Sequence, residues 1–134
     1  MKLRLLVLLQ SFHFLTVLRP VLHYGLHFLA PGLIAFMFFR DRWQKAWLIM
    51  VATMIVDADH LLAKPIFDPT RCSVGFHPLH SYYAIGVYVV LLFFPKTRIV
   101  AVGLLFHMLT DFEDCQWIGL LVNNPFYFPI SPIV

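Results

Sequence analysis

The stretch VDADHLLAKPIFDPTRCSVGFHPLHS, residues 56–81, decides how this chain reads. It brings Asp57, Asp59, His60, Asp68, His77 and His80 into one short span, and apolar segments of helix length flank it on both sides. Of the 134 residues, 60% are hydrophobic and 13% charged, which is more apolar surface than one soluble core of this size could bury. The composition predicts an all-α integral membrane protein, a single domain over residues 1–134 without polar linker, charge run or internal repeat. A net charge of +3, scattered along the chain, excludes nucleic acid as a partner.

Working outward from this stretch, the apolar runs predict membrane helices over residues 21–39, 44–62, 79–94 and 98–118, since roughly 17 to 25 residues at about 1.5 Å each cross a bilayer core. Pro20, Pro65, Pro69, Pro78 and Pro95 fall at or between the ends of these runs, where a missing amide hydrogen is tolerated. Residues 1–19, apolar after Lys2 and Arg4, add an N-terminal helix that either crosses the membrane, lies in its interface or serves as a retained signal-like anchor. The expected fold is therefore a polytopic transmembrane helical bundle, with four core helices in residues 20–118 and that extra helix before them. Residues 119–134, rich in proline and aromatics, are expected to lie non-helically along the interface. Arg40, Arg42 and Lys45 cluster in one connection and Lys96 and Arg98 in another. Alternating helices put both on one face, which the retention of basic residues makes cytoplasmic, so the loop 64–80 is expected outside.

Polar residues placed by depth suggest the chemistry. Counted from the inner helix ends, Asp57 and Asp111 lie about 20 Å up, His27 about 18 Å, His23 and His60 about 24 Å and His107 about 14 Å. His23 and His27 are four apart, as are His107 and Asp111, and Asp57 and His60 are three apart, so each pair shares a helix face. His77 and His80 enter from the outer loop, with Pro78 suited to a first helical turn. Ionisable groups inside a membrane are costly and mark function. Imidazole and carboxylate donors suit zinc first, with manganese or iron as alternatives, rather than calcium. The expected metal ligands are His23, His27, Asp57, His60, His77, His80, His107 and Asp111. Asp57 and Asp59 are expected as the catalytic carboxylates that orient water or take its proton. The supply exceeds what one tetrahedral ion uses, so one or two ions are expected. On an α-helix Asp59 cannot share the face of Asp57. It is therefore expected either behind the ligands or, if the helix ends early, turned inward beside Asp57.

The ordered set HYGLH, DADH, HPLHS and HMLTD resembles the pattern of the YdjM-like bacterial membrane-bound metal-dependent hydrolases. It is more similar still to a small Bacteroidetes-type integral membrane family with the phrase DPxRCSxGFHPLH. The resemblance spans residues 21–117 and implies metal or active-site roles for His27, Asp57, Asp59, His60, His77, His80, His107 and Asp111, with His23 added. The HPLHS stretch departs from the hydrolase pattern, which has an arginine after the first histidine and a threonine before the second. The expected location is a bacterial inner membrane, crossed several times, with the distribution of basic residues putting the metal site toward the periplasmic side.

Two functions follow as expectations. In one, a metal-dependent hydrolase acts on a lipid or lipid-linked ester or phosphoester at the outer face. In the other, a non-catalytic metal-binding membrane subunit or carrier holds the ion, and a homo-oligomer or membrane protein partner is compatible with either. Cys72 and Cys115 both map to the outer side, where an oxidising compartment favours a disulfide over the rival reading of two thiolate ligands. His13 reads as a packing residue, Asp68 and Asp114 as loop-end caps, Tyr82 and Tyr83 as interface anchors, and Glu113 as an alternative base.

Overall fold

The computed structural model describes Phe14 and residues 17–121, and among these every regular element is helical. Helix α1 is Val17–Phe38. After a 3₁₀ turn at Arg40–Arg42 comes α2, Trp43–Ala52, which passes directly into a 3₁₀ helix, Thr53–Leu62. The loop that follows carries a second 3₁₀ turn, Pro78–His80, and leads to α3, Tyr82–Leu91, and α4, Arg98–Leu121. His13 and most of residues 1–19 and 119–134, for which sequence expectations were stated, lie outside the described residues.

Helices α1 and α2 form an antiparallel pair along a seam of small and flexible side chains, with Ala35, Ala46 and Met50 at its centre. Pro31 lacks an amide hydrogen and loosens α1 one turn earlier. The ladder nevertheless continues through Leu29, whose amide donates to Gly25 and whose carbonyl accepts from Leu33. Trp47 of α2 reinforces the loosened turn by donating from Nε1 to the Phe28 carbonyl at 2.8 Å. Phe39, Trp43 and Ile99 pack on this same seam, so the two basic connections stand at one end of the bundle.

Gly103 sets the approach of α4 to α2. A Cβ there would lie 2.9 Å from the Met50 Cα and 3.0 Å from the Thr53 side chain, so only glycine admits this backbone contact. On its other side α4 meets α3 through Leu104 and Met108, which bury Tyr88 and Val56.

The helix expected over 44–62 changes winding at Thr53. At its far end the Ala63 amide donates to the His60 carbonyl at 3.0 Å, three residues back as in a 3₁₀ helix, and the Thr53 hydroxyl at its start donates to the Met50 carbonyl at 2.5 Å. The run expected over 79–94 is α-helical only from Tyr82 to Leu91, its start set by Ser81, which caps it by accepting the Ala84 amide. Among the described residues only α1 is long and apolar enough to cross a membrane by itself. Helix α4 has 24 residues but carries Asp111, Glu113 and Asp114 near its end.

The connection 63–81 is fastened to α4 by a disulfide between Cys72 and Cys115, buried with Val74, Ile85 and Phe112. The disulfide expectation is thus met by the geometry. Gly75, at φ 83°, supplies the left-handed turn that lets its amide donate to the His80 carbonyl. Asp68 caps the loop by accepting from both the amide and the hydroxyl of Thr70.

Candidate metal centre

The loop closure places His80 against the 3₁₀ helix and α4 at the end of the bundle opposite the basic connections. His80 is fully buried. Its Nε2 lies 3.2 Å from His107 Nε2, 3.3 Å from Asp57 Oδ1 and 3.1 Å from Asp111 Oδ2. His107 Nε2 is in turn 3.1 Å from the same Asp57 oxygen and 3.5 Å from the same Asp111 oxygen. Four donor atoms therefore converge from the 3₁₀ helix, the loop and α4.

These distances test whether the site fits an ion. A tetrahedron with bonds of about 2.0 Å has edges of about 3.3 Å, and the five distances run from 3.1 to 3.5 Å. Protons alone serve the four atoms poorly, since each imidazole nitrogen has one N–H direction and faces two carboxylate oxygens and another nitrogen. A cation at the centre satisfies all four at once. The buried cluster of Asp57, His80, His107 and Asp111 can thus hold a metal ion.

Asp59 stands behind this set. One of its oxygens accepts the Leu79 amide at 2.8 Å and pairs with His80 Nδ1 at 3.0 Å, so the carboxylate fixes the ring whose other nitrogen enters the cluster. The tighter winding makes this possible. With three residues per turn, Asp57 and Asp59 reach His80 from two sides, and Asp57 and His60 stack on one edge. Asp59 is 4% exposed, while the Asp57 side chain is 37% exposed and faces a cavity.

That cavity, about 490 Å³, has Asp57 and Asp111 in its wall together with His23, His27, His60 and Ser73. His60 bridges two neighbours, with Nδ1 3.2 Å from Asp59 Oδ1 and Nε2 3.1 Å from the Ser73 hydroxyl. His77, expected as a ligand, is not among the residues whose donor atoms come close enough together to share an ion. It stacks on His60 with ring centroids 3.9 Å apart, and burial followed by repulsion from His60 lowers its pKa to about 4. His23 and His27 approach the other oxygen of Asp111, at 4.0 and 3.3 Å.

Asp114 does not cap a loop: both of its oxygens accept from Arg19 at 2.7 Å, which ties α1 to α4 at the cavity rim. Glu113 accepts from Trp117 Nε1 and is not in the cavity wall. Tyr82 and Tyr83 are exposed. Sequence reasoning passed over Ser73 and the Arg19–Asp114 pair. Neither carries a spacing signal, because Ser73 is 13 residues from His60 and Arg19 is 95 from Asp114.

Fold and site together define a protein that is helical in its described residues and carries buried histidine–aspartate clusters able to bind a metal ion. A family model described as a family of unknown function, DUF6122, matches residues 17–118, and the chain belongs to that family. Neither the curated proteins nor the solved structures contain a match to it.

Proposed function

We propose that this protein is a multi-pass membrane hydrolase, zinc-dependent, that cleaves a lipid or lipid-linked ester or phosphoester at the outer face of a bacterial cytoplasmic membrane. The observation that carries the reading is the open edge of the donor set: Asp57 both belongs to the cluster and stands 37% exposed in the cavity wall. An ion held there by Asp57, His80, His107 and Asp111 is reachable by a substrate, as a catalytic ion must be. Two imidazoles and two carboxylates at tetrahedral distances suit zinc, and manganese or iron would also accept them.

A bound divalent ion would supply Lewis acidity, polarising a substrate oxygen and making water acidic. The chain's own residues would do the rest. Asp59 holds His80 in one orientation, and His60, with Ser73 on its outer nitrogen, stands in the cavity wall where a proton must be taken up and returned. Phe67 and Met54 line the same cavity and would receive an acyl or prenyl chain.

The membrane part of the reading is supported by α1 and by large apolar side chains left exposed on every helix, among them Leu29, Ile55, Val90 and Leu109. Its sidedness is supported by the two basic connections at one end and the disulfide at the other, since a disulfide persists in an oxidising compartment. The similarity to YdjM-like hydrolases points the same way.

A non-catalytic metal-binding subunit is the second reading. Four protein ligands already complete a tetrahedral shell, which is the pattern of structural zinc. The deciding experiment pairs metal analysis of purified protein with turnover on phospholipid and polyprenyl-phosphate substrates in mixed micelles. Hydrolysis that disappears in His107→Ala together with the bound metal supports the enzyme. Unmodified protein that holds its metal and turns over nothing leaves the subunit reading.

A further inference from the structure

Asp111 divides its two oxygens between two donor groups. Oδ2 faces the first, at 3.1 Å from His80 and 3.5 Å from His107. Oδ1 faces the second, at 3.3 Å from His27 Nε2 and 4.0 Å from His23 Nε2. His23 and His27 stand one turn apart on α1, an element that supplies nothing to the first group. One donor atom from each of His23, His27 and Asp111 lies within 4.8 Å of the others.

His27 is the observation that calls for a ligand. Its side chain is 1% exposed, yet neither Nδ1 nor Nε2 has a hydrogen-bond partner among the described residues. The 3.3 Å approach to Asp111 lacks the N–H alignment of a hydrogen bond. A neutral imidazole buried with neither nitrogen in a hydrogen bond is disfavoured, because it has given up water for no more than that one approach to Asp111. A lone pair directed at a cation removes that penalty for Nε2.

We propose that His23, His27 and Asp111 form a second divalent-cation site, joined to the first through the Asp111 carboxylate. The inference rests on the first group's being a metal centre. Bridged through one carboxylate, the two ions would stand about 3.5 to 4 Å apart, the spacing of two-metal hydrolytic centres. The second site has three protein donors where a tetrahedral ion takes four, and all three residues line the cavity. It therefore leaves a coordination position free toward the cavity, where a second ion would meet the same substrate as the first. Its donors, two imidazoles and a carboxylate, select a transition-type cation such as zinc or cobalt over calcium.

Cobalt(II) titration of chelator-treated full-length protein in detergent tests this with a readout independent of activity. Absorbance and elemental analysis should give two cobalt ions per chain in the unmodified protein. The low-temperature electron paramagnetic resonance signal of the doubly loaded form should fall below twice that of the singly loaded form, through coupling across Asp111. His27→Ala and, at the less buried neighbouring position, His23→Ala should each bind one ion with an uncoupled signal. If His27→Ala does not fold, His23→Ala alone decides. A single ion in the unmodified protein, or two uncoupled ions that survive His23→Ala, overturns the second site and leaves the first standing. No bound cobalt in any form overturns both.

Discussion

Gly103→Ala should injure the metal centre without touching it. The added Cβ would stand 2.9 Å from the Met50 Cα and 3.0 Å from both Thr53 Oγ1 and Cγ2, several tenths of an ångström inside ordinary contact. Met50 is backbone at that point, and Thr53 is held by its hydroxyl on the Met50 carbonyl, so neither can swing away. The helices must part instead. Overpacking of this kind typically costs about 1 to 3 kcal/mol. Asp57 lies four residues beyond Thr53 and His107 four beyond Gly103, so the same displacement pulls apart two donor atoms now 3.1 Å from each other. Gly86→Ala is the control, because a Cβ there meets nothing within 4 Å. Both variants gain the helical preference of alanine over glycine, about 0.5 to 1 kcal/mol, so their difference isolates the clash. With about 4 °C per kcal/mol for a chain of this size, Gly103→Ala should melt roughly 4 to 12 °C below Gly86→Ala in the same detergent. Metal competition with a chromogenic chelator should report weaker binding for Gly103→Ala alone. Equal melting temperatures and equal affinities in the two variants would refute the claim that this glycine sets the geometry of the site.

Asp59→Asn should fold and still take up metal, with affinity lower by about 10- to 100-fold, because the charge that orients His80 through its Nδ1 is gone while the four donors remain. Chelator competition checks this, and an unchanged affinity would place Asp59 outside the ligand-orienting role. Alkylation under non-reducing conditions followed by mass spectrometry should recover Cys72 and Cys115 joined. Reduction should then destabilise the protein by about 2 to 4 kcal/mol as the loop is released from α4. In cells with that pair left oxidised, an impermeant thiol reagent should reach Thr70→Cys and spare Arg42→Cys. The opposite labelling would turn the site toward the cytoplasm.

Composition and local spacing carried much of this protein by themselves. Apolar runs of helix length, punctuated by proline, place the helices to within a few residues, because backbone hydrogen bonding within one segment depends only on that segment. The pairs His107/Asp111 and His23/His27 were legible for the same reason, since α-helical spacing puts them on one face. Asp57 and His60 were legible too, and the tighter 3₁₀ winding stacks them more closely than an α-helix would.

Tertiary structure decided what each of these pairs does. His80 enters the four-donor group because the disulfide, the left-handed turn at Gly75 and the Asp59 carboxylate fold the loop back onto α4, and no residue's neighbours in sequence encode that closure. His77, three residues away and equally plausible as a ligand from its motif, is instead stacked on His60 with ring centroids 3.9 Å apart. Asp59 was open between two roles until the winding at Thr53 was known, and Asp111 could not be divided between two groups until α1 was packed against α4. Ligand sets are meetings of donor atoms from separate elements within a few tenths of an ångström. Such distances depend on backbone contacts as remote as that of Gly103 with Met50, which local spacing does not record.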